Sequence, residues 1–207
     1  MRLTLTQFVT LDGVYQAPGG PNEDTSGDFR HGGWLVPFFD DALGQYMNRI
    51  FDEVDAFVLG RKTYEIFAAS WPNATDPDDP IASRLNTLPK YVASRSLARA
   101  DWHSSTVLGG DVVAEVAKLK ERPGRELQIH GSGALARSLL RHGLIDRVHL
   151  LTFPVVLGAG QRLFDAGAEP SALRLLESRT TSTGAVIASY EVAGRPRYGN
   201  FALEDKG

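Results

Sequence analysis

Between Leu127 and Phe164 the chain passes through a strand, a glycine turn, a helix and a second strand, and few architectures can absorb that order. Leu127-Gln128-Ile129-His130 is a short apolar-leaning run, and Gly131-Ser132-Gly133 follows it at once. Ala134, Leu135, Leu139 and Leu140 then recur at the spacing of one helix face, which closes near Gly143. Asp146 to Val156 has the branched and aromatic content of a buried strand. A glycine turn that opens a helix leaves the first backbone N–H groups unpaired. Together with the positive end of the helix dipole they make a seat for phosphate. Gly131 and Gly133 permit a close backbone approach there, and Ser132 adds a hydroxyl donor. A bare strand-to-helix turn with no ligand has the same sequence, and this stretch alone leaves both readings open.

The rest of the chain repeats the alternation. Leu3, Leu5, Val9 and Leu11 alternate with threonines to give a first strand, ended by Asp12-Gly13. Gln16 to Gly33 is rich in Gly, Pro, Asn and Asp, without hydrophobic period. So long a loop straight after a strand is expected to cover a site. Pro37 opens a helical pattern through Phe38, Leu43, Tyr46, Met47, Ile50 and Phe51. Ala56 to Leu59 is a buried strand broken by Gly60, and Arg61-Lys62-Thr63 starts the next helix. Helical turns over Ile81 to Leu88, strands at Lys90 to Ala93 and Thr106 to Leu108, and a helix over Val112 to Lys120 follow. Leu173 to Glu177 reads as a strand, and Thr180 to Ser182 and Ala185 to Val192 flank a Thr183-Gly184 hairpin tip. The expectation is a three-layer α/β/α fold with a mostly parallel sheet and a C-terminal antiparallel hairpin. One domain over residues 1–195 and a polar tail over 196–207 are expected, because no linker divides the chain.

Composition narrows the function. A net charge of −3 removes the electrostatic case for nucleic-acid binding. The chain has no cysteine, which excludes thiolate chemistry and cysteine-held metals. His31, His103, His130, His142 and His149 show no paired spacing with acidic residues, so no metal is assigned. No apolar run approaches a membrane span and no signal segment precedes the first strand, so a cytoplasmic location is expected.

Ligands of open α/β sheets bind beyond the carboxyl ends of the strands. Asp12-Gly13, Gly60-Arg61-Lys62-Thr63, Ser94-Arg95 and Gly131-Ser132-Gly133 each follow a strand immediately and should converge on that edge. Two cations at the start of a helix oppose its dipole unless an anion compensates them, and a phosphate monoester would do so. An exposed basic turn paired with Glu65 would serve equally well. Ser94-Arg95 repeats the theme. One ligand with a pyrophosphate on the glycine turn and a further phosphate near Arg61 fits both clusters, and a 2′-phosphorylated dinucleotide is such a ligand.

V-L-G-R-K-T-Y-E at Val58 to Glu65 resembles the cofactor motif of dihydrofolate reductases, and I-H-G-S-G-A-L-A at Ile129 to Ala136 resembles their second glycine motif. T-L-D-G at Thr10 to Gly13 and P-V-V-L-G-A-G-Q-R-L-F at Pro154 to Phe164 are more similar to the reductase domain of riboflavin biosynthesis, the RibD C-terminal branch of that superfamily. The resemblance covers nearly the whole chain. It implies NADPH as cofactor, held by Gly60, Arg61, Lys62, Thr63, Ser94, Arg95, Gly131, Ser132, Gly133 and Leu135. It further implies a symmetric homodimer and hydride transfer to a small nitrogen heterocycle such as a pteridine or aminopyrimidine.

Trp34 to Asp40 echoes the Trp-Pro-Asp order of dihydrofolate reductases, with Asp40 one residue late and Asp41 next to it. Asp40 and Asp12 are therefore the catalytic candidates, and Trp34 and Asp41 the substrate contacts. A helix-start aspartate that only complements the dipole, or one that only closes a turn, accounts for the same residues. Reduction of a ribosylaminopyrimidine phosphate is the alternative, and it needs a second anion site, for which Arg30 and His31 are the local hint. A dinucleotide-binding module without catalysis is the other.

Overall fold

Alternation on strand β1 (Arg2–Thr10) sends Leu3, Leu5 and Val9 into one apolar cluster, while Phe8 packs against the cluster on the opposite face. A strand covered on both sides belongs inside a sheet, and β1 lies there. The computed structural model describes residues 1–165 and 168–201. It joins β1 to β2 (Val54–Gly60), β3 (Lys90–Ala93), β4 (Ser105–Leu108), β5 (Glu126–His130), β6 (Arg147–Phe153), β7 (Leu173–Thr180) and β8 (Val186–Val192). The order across the sheet is β4-β3-β2-β5-β1-β6-β8-β7. Strands β1 to β6 pair in parallel, and β8 and β7 add an antiparallel edge.

Helices cover both faces. Leu43, Tyr46, Met47, Ile50 and Phe51 of α1 (Asp41–Asp52), Tyr64 of α2 (Arg61–Ser70) and Leu85 of α3 (Pro80–Thr87) share one core with Phe57, Val92 and Phe153. Val116 and Leu119 of α4 (Val112–Lys120) and Ala136 and Leu139 of α5 (Gly133–Arg141) share the other with Leu5, Val58 and Ile129. The three-layer architecture and the antiparallel hairpin are those expected from the sequence. No helix among the described residues is long and apolar enough to cross a membrane. Of the expected tail, residues 202–207 lie outside the described residues, while Tyr198 and Phe201 are exposed.

The first helix begins later than its hydrophobic period suggests. Val36–Phe38 makes a single 3-10 turn, and α1 starts only at Asp41. Asp40 is extended, and its carboxylate accepts from the Leu43 amide at 3.0 Å, which fixes the first turn there. Asp79 and Asp111 cap α3 and α4 in the same way. Gly60 and Ser132, which precede α2 and α5, make no side-chain cap.

The loop between β1 and α1 is ordered by polar groups. Gln16 Nε2 donates to the carbonyls of Asp24 and Ser26, and Trp34 Nε1 donates to the Gln16 carbonyl at 2.8 Å. The amides of Gly33 and Leu35 donate to the carbonyls of Ala17 and Pro18. A Cβ on Gly32 would lie 2.4 Å from the Gly20 carbonyl oxygen, so the two limbs meet backbone to backbone.

Two histidines are buried in the α1 face. His149 Nδ1 lies 2.9 Å from Tyr46 Oη and 2.7 Å from Ser189 Oγ. His130 Nε2 lies 3.0 Å from Gln128 Oε1. Burial, with a smaller contribution from nearby Arg147, lowers His149 to about 4; burial, then His149, lowers His130 to about 3. Both rings stay neutral in the fold while an unfolded chain takes up protons below its ordinary histidine range. Stability should therefore decline as pH falls through about 6.5, by roughly 2 kcal/mol for each ring between pH 7 and 5. Urea unfolding at the two pH values checks this, and His149→Gln should flatten the dependence.

Candidate active site

A cavity of about 740 Å³ opens at the carboxyl ends of β2, β3 and β5 and beside the middle of β1. Its lining includes Thr6, Gln7 and Phe8 of β1, Gly60 to Thr63, Ala93 to Arg95, and His130 to Leu135. Three of the four strand-end junctions expected to converge do so. The fourth, Asp12-Gly13, does not line the cavity.

The two central junctions are latched together. Ser132 Oγ accepts from the Gly60 amide at 2.9 Å and donates to the His130 carbonyl at 3.1 Å. The Ser132 amide donates to Thr63 Oγ1 at 3.1 Å. Its hydroxyl is thus spent on the neighbouring turn and does not cap its own helix. Ser132 itself is left-handed at φ 53°, and Gly131, at φ 57°, could take a Cβ only in tight contact, 3.4 Å from Thr63 Oγ1. Gly133 has a different reason to be glycine. A Cβ there would sit 2.3 Å from the ring of Tyr15, which packs on the turn with its hydroxyl 2.6 Å from Gln161 Oε1.

Helices α2 and α5, the two without side-chain caps, both begin at this cavity. Their first-turn amides and positive dipole ends therefore serve whatever anion enters. The three cations of the rim differ. Arg61 pairs with Glu65 at 3.0 Å, four residues along α2. Lys62 donates to both oxygens of Asp24, at 2.9 and 3.0 Å, and to Ser26 Oγ. Arg95 has no carboxylate partner among the described residues, while Ser94 Oγ is occupied by the amides of Ser96 and Leu97.

Residues 2–187 match the RibD C-terminal domain family. The chain belongs to that family. It is 28% identical over 195 residues to the uncharacterized protein YyaP of Bacillus subtilis, covering 93% of this chain and 96% of that one. A protein assigned to riboflavin biosynthesis from Shewanella sp. PV-4 superposes with a TM-score of 0.71 at 20% identity, over 93% of this chain and 99% of its own. The diaminohydroxyphosphoribosylaminopyrimidine deaminase/5-amino-6-(5-phosphoribosylamino)uracil reductase of Thermotoga maritima gives a TM-score of 0.60 at 14% identity. That match covers 93% of this chain and 56% of the longer one. At these identities the two structures share its fold.

None of the carboxylates expected to act in catalysis lines the cavity of this RibD C-terminal domain. Asp40 uses one oxygen on the Leu43 amide and the other on the Ser182 amide and hydroxyl, at 3.0 and 2.7 Å. The Ser182 hydroxyl first, and then the Leu43 amide, hold its carboxyl below the usual range. It ties the last hairpin to α1. Asp12 accepts from Thr10 Oγ1, from the amides of Leu157 and Gly158, and from Arg162. Partial burial pushes it up, but those donors outweigh burial and bring it down to about 2. It anchors the chain after β6. Asp41 is exposed in the first turn of α1. Trp34 is buried, edge-on to Phe153, and its nitrogen holds the long loop. Asp40, Asp12 and Trp34 share one feature: a polar group near a chain reversal is engaged by backbone amides or carbonyls.

The cavity uses residues that the sequence did not single out. Glu23 and Asp24, from the long loop, are the carboxylates among its lining residues. Glu23 Oε2 accepts from the amides of Gly19 and Gly20, at 2.5 and 3.1 Å, and burial raises its carboxyl despite them. Burial also pushes Asp24 up, but Ser26 and then Lys62 bring it below the usual range. The signal available was the acidic pair inside a long glycine-rich loop, which shows no period to place it. Among the described residues, no group of histidine and carboxylate side chains could hold a metal ion.

Asp40→Ala should lower thermal stability by detaching the hairpin from α1, while leaving the affinity of any ligand that binds in the cavity unchanged. Melting temperature and equilibrium titration of the same preparation check both halves.

Proposed function

We propose that the chain is an NADPH-dependent reductase that transfers hydride to a small nitrogen heterocycle. The observation that carries this reading is a single cavity receiving two uncapped helix N-termini and an arginine without a carboxylate partner, in a chain of the RibD C-terminal family. The residues fit a dinucleotide. The open amides at the start of α5 suit a pyrophosphate, which the latched Ser132 leaves uncovered. Arg95 suits the 2′-phosphate, with Arg61 and Lys62 able to exchange their carboxylate partners for it. When bound, NADPH would supply the hydride. The long loop, through Gln16 to Gly19 and Glu23, would screen the reacting ring from water. Glu23 holds its proton more tightly than an ordinary carboxyl and is the cavity's group best suited to give one to the reduced substrate.

A second reading, nucleotide binding without turnover, draws support from the engagement of Asp12 and Asp40 in structural bonds. Loss of NADPH absorbance with a pteridine or aminopyrimidine present separates the two readings.

NADPH should bind more tightly than NADH by about 1–3 kcal/mol, the worth of a charge-assisted phosphate contact. Arg95→Ala should remove most of that difference, and Arg61→Ala less, since Arg61 already has Glu65. Equal affinity of the unaltered chain for both nucleotides in calorimetry would remove the 2′-phosphate assignment.

We also propose a symmetric homodimer. Leu11 and Val156 are 65% and 66% exposed, and the Leu11 amide donates to the Val155 carbonyl at 2.9 Å, so the two form one apolar patch. Val156→Asp should halve the mass seen by light scattering. A monomer at micromolar concentration before substitution would overturn the proposal.

A further inference from the structure

The cavity divides by chemistry. Its cations among the described residues, Arg61, Lys62 and Arg95, stand where β2 and β3 end. Further along α2, and across to α1 and α3, the walls become Met47, Phe51, Phe67, Trp71, Ile81 and Leu85, all members of one apolar cluster. No cation among the described residues lines that end. Arg30 and His31, the hint of a second phosphate site in the sequence, are exposed and do not line the cavity. A phosphate carried there would shed its water with no cation to replace it, a loss that apolar contact does not return.

Thr6 and His130, paired across β1 and β5, stand among these walls as polar side chains. His130 lines the cavity and lies against Phe51, with ring centroids 4.7 Å apart. Gln128 fixes its tautomer. The amide nitrogen of Gln128 donates to the Ile50 carbonyl and to Glu126 Oε2, so its oxygen faces His130 Nε2. An oxygen accepts, hence Nε2 carries the proton and Nδ1 keeps a lone pair. Nδ1 has no hydrogen bond to the described residues.

We propose that the second ligand of this site is an unphosphorylated, flat heteroaromatic ring, packed between the apolar walls and donating a ring N–H to Nδ1 of His130. This rests on the reading of the cavity as that of a reductase and narrows its substrate to a class without a phosphorylated sugar. The cavity's volume, about 740 Å³, is ample for a ring system of this kind beside part of a dinucleotide.

The test is calorimetric titration of the full chain, saturated with NADP⁺, against four isoalloxazines used as probes. Lumiflavin, riboflavin and riboflavin 5′-phosphate share one ring and differ in the group on N10, whereas 3-methyllumiflavin blocks the ring N–H. Lumiflavin should bind, and riboflavin 5′-phosphate should bind at least about tenfold more weakly than riboflavin. The 3-methyl compound should also lose about tenfold, the worth of one hydrogen bond to a buried acceptor. Phe67→Lys, at a half-buried position, should narrow or reverse the preference against the phosphate. His130→Leu should abolish the difference between lumiflavin and its 3-methyl form. Equal or tighter binding of riboflavin 5′-phosphate, or failure of every ring to bind, would overturn the proposal. Equal binding of the 3-methyl compound to the unaltered chain would remove His130 from it even if the leucine variant does not fold. Titration with NADP⁺ alone keeps the two readings apart. If NADP⁺ fails to bind while the four rings keep this order, the cofactor assignment falls and the ring site stands.

Discussion

The site depends on a serine that does not cap its own helix. A left-handed Ser132 costs on the order of 1–3 kcal/mol in backbone strain, and something must hold it there. Three hydrogen bonds do: the Gly60 amide to its hydroxyl, its hydroxyl to the His130 carbonyl, and its amide to Thr63 Oγ1. The first and last of them bind the turn after β5 to the end of β2 and the start of α2, and β2 and β5 are neighbours in the sheet. The starts of α5 and α2 are thereby set side by side with their amides free. A serine in the ordinary capping geometry would have closed α5 and left the two turns unconnected. The strain and the anion-binding capacity have the same origin.

Much of this was legible in the sequence, because the fold is governed by periodicity. The alternation of strand and helix, the buried runs at Ala56 to Leu59 and Leu127 to His130, and the hairpin about Gly184 each follow from short-range pattern. So do three of the four junctions that meet at the cavity. The start of α1 was less legible. The apolar spacing from Phe38 onward runs straight through the place where the Asp40 carboxylate, rather than hydrophobicity, decides where the helix begins.

Asp12 and Asp40 show a limit of pattern. An aspartate at a helix start, following a tryptophan and a proline, reads the same whether it faces a ligand or a backbone amide. What separates the two is a partner remote in sequence, here Ser182 on the last hairpin for Asp40 and Gly158 for Asp12. Gly133 makes the same point. Its place in the motif suggests room for a phosphate, yet the group its missing side chain admits is the ring of Tyr15. Glu23 was illegible for the opposite reason. Its loop has no period, and Gln16, Trp34 and the close backbone contact at Gly32 bring it to the cavity.

A buried polar thread on β5 supplies the remaining constraint. Glu126, Gln128 and His130 project to the same side of the strand and are joined in sequence by hydrogen bonds. At one end Glu126 meets Arg2 at 3.3 Å; at the other His130 meets the cavity. Burying three polar side chains in a row is costly unless each is satisfied, and a network so satisfied is rigid. Its rigidity bears on chemistry. Because Gln128 also holds the Ile50 carbonyl of α1, the imidazole cannot turn to offer its proton to the cavity without breaking that chain. In the proposed reading the wall offers an uncharged acceptor at His130, and Glu23 on the loop gives the proton. That reading assigns recognition and protonation to different elements, one inside the sheet and one on the covering loop.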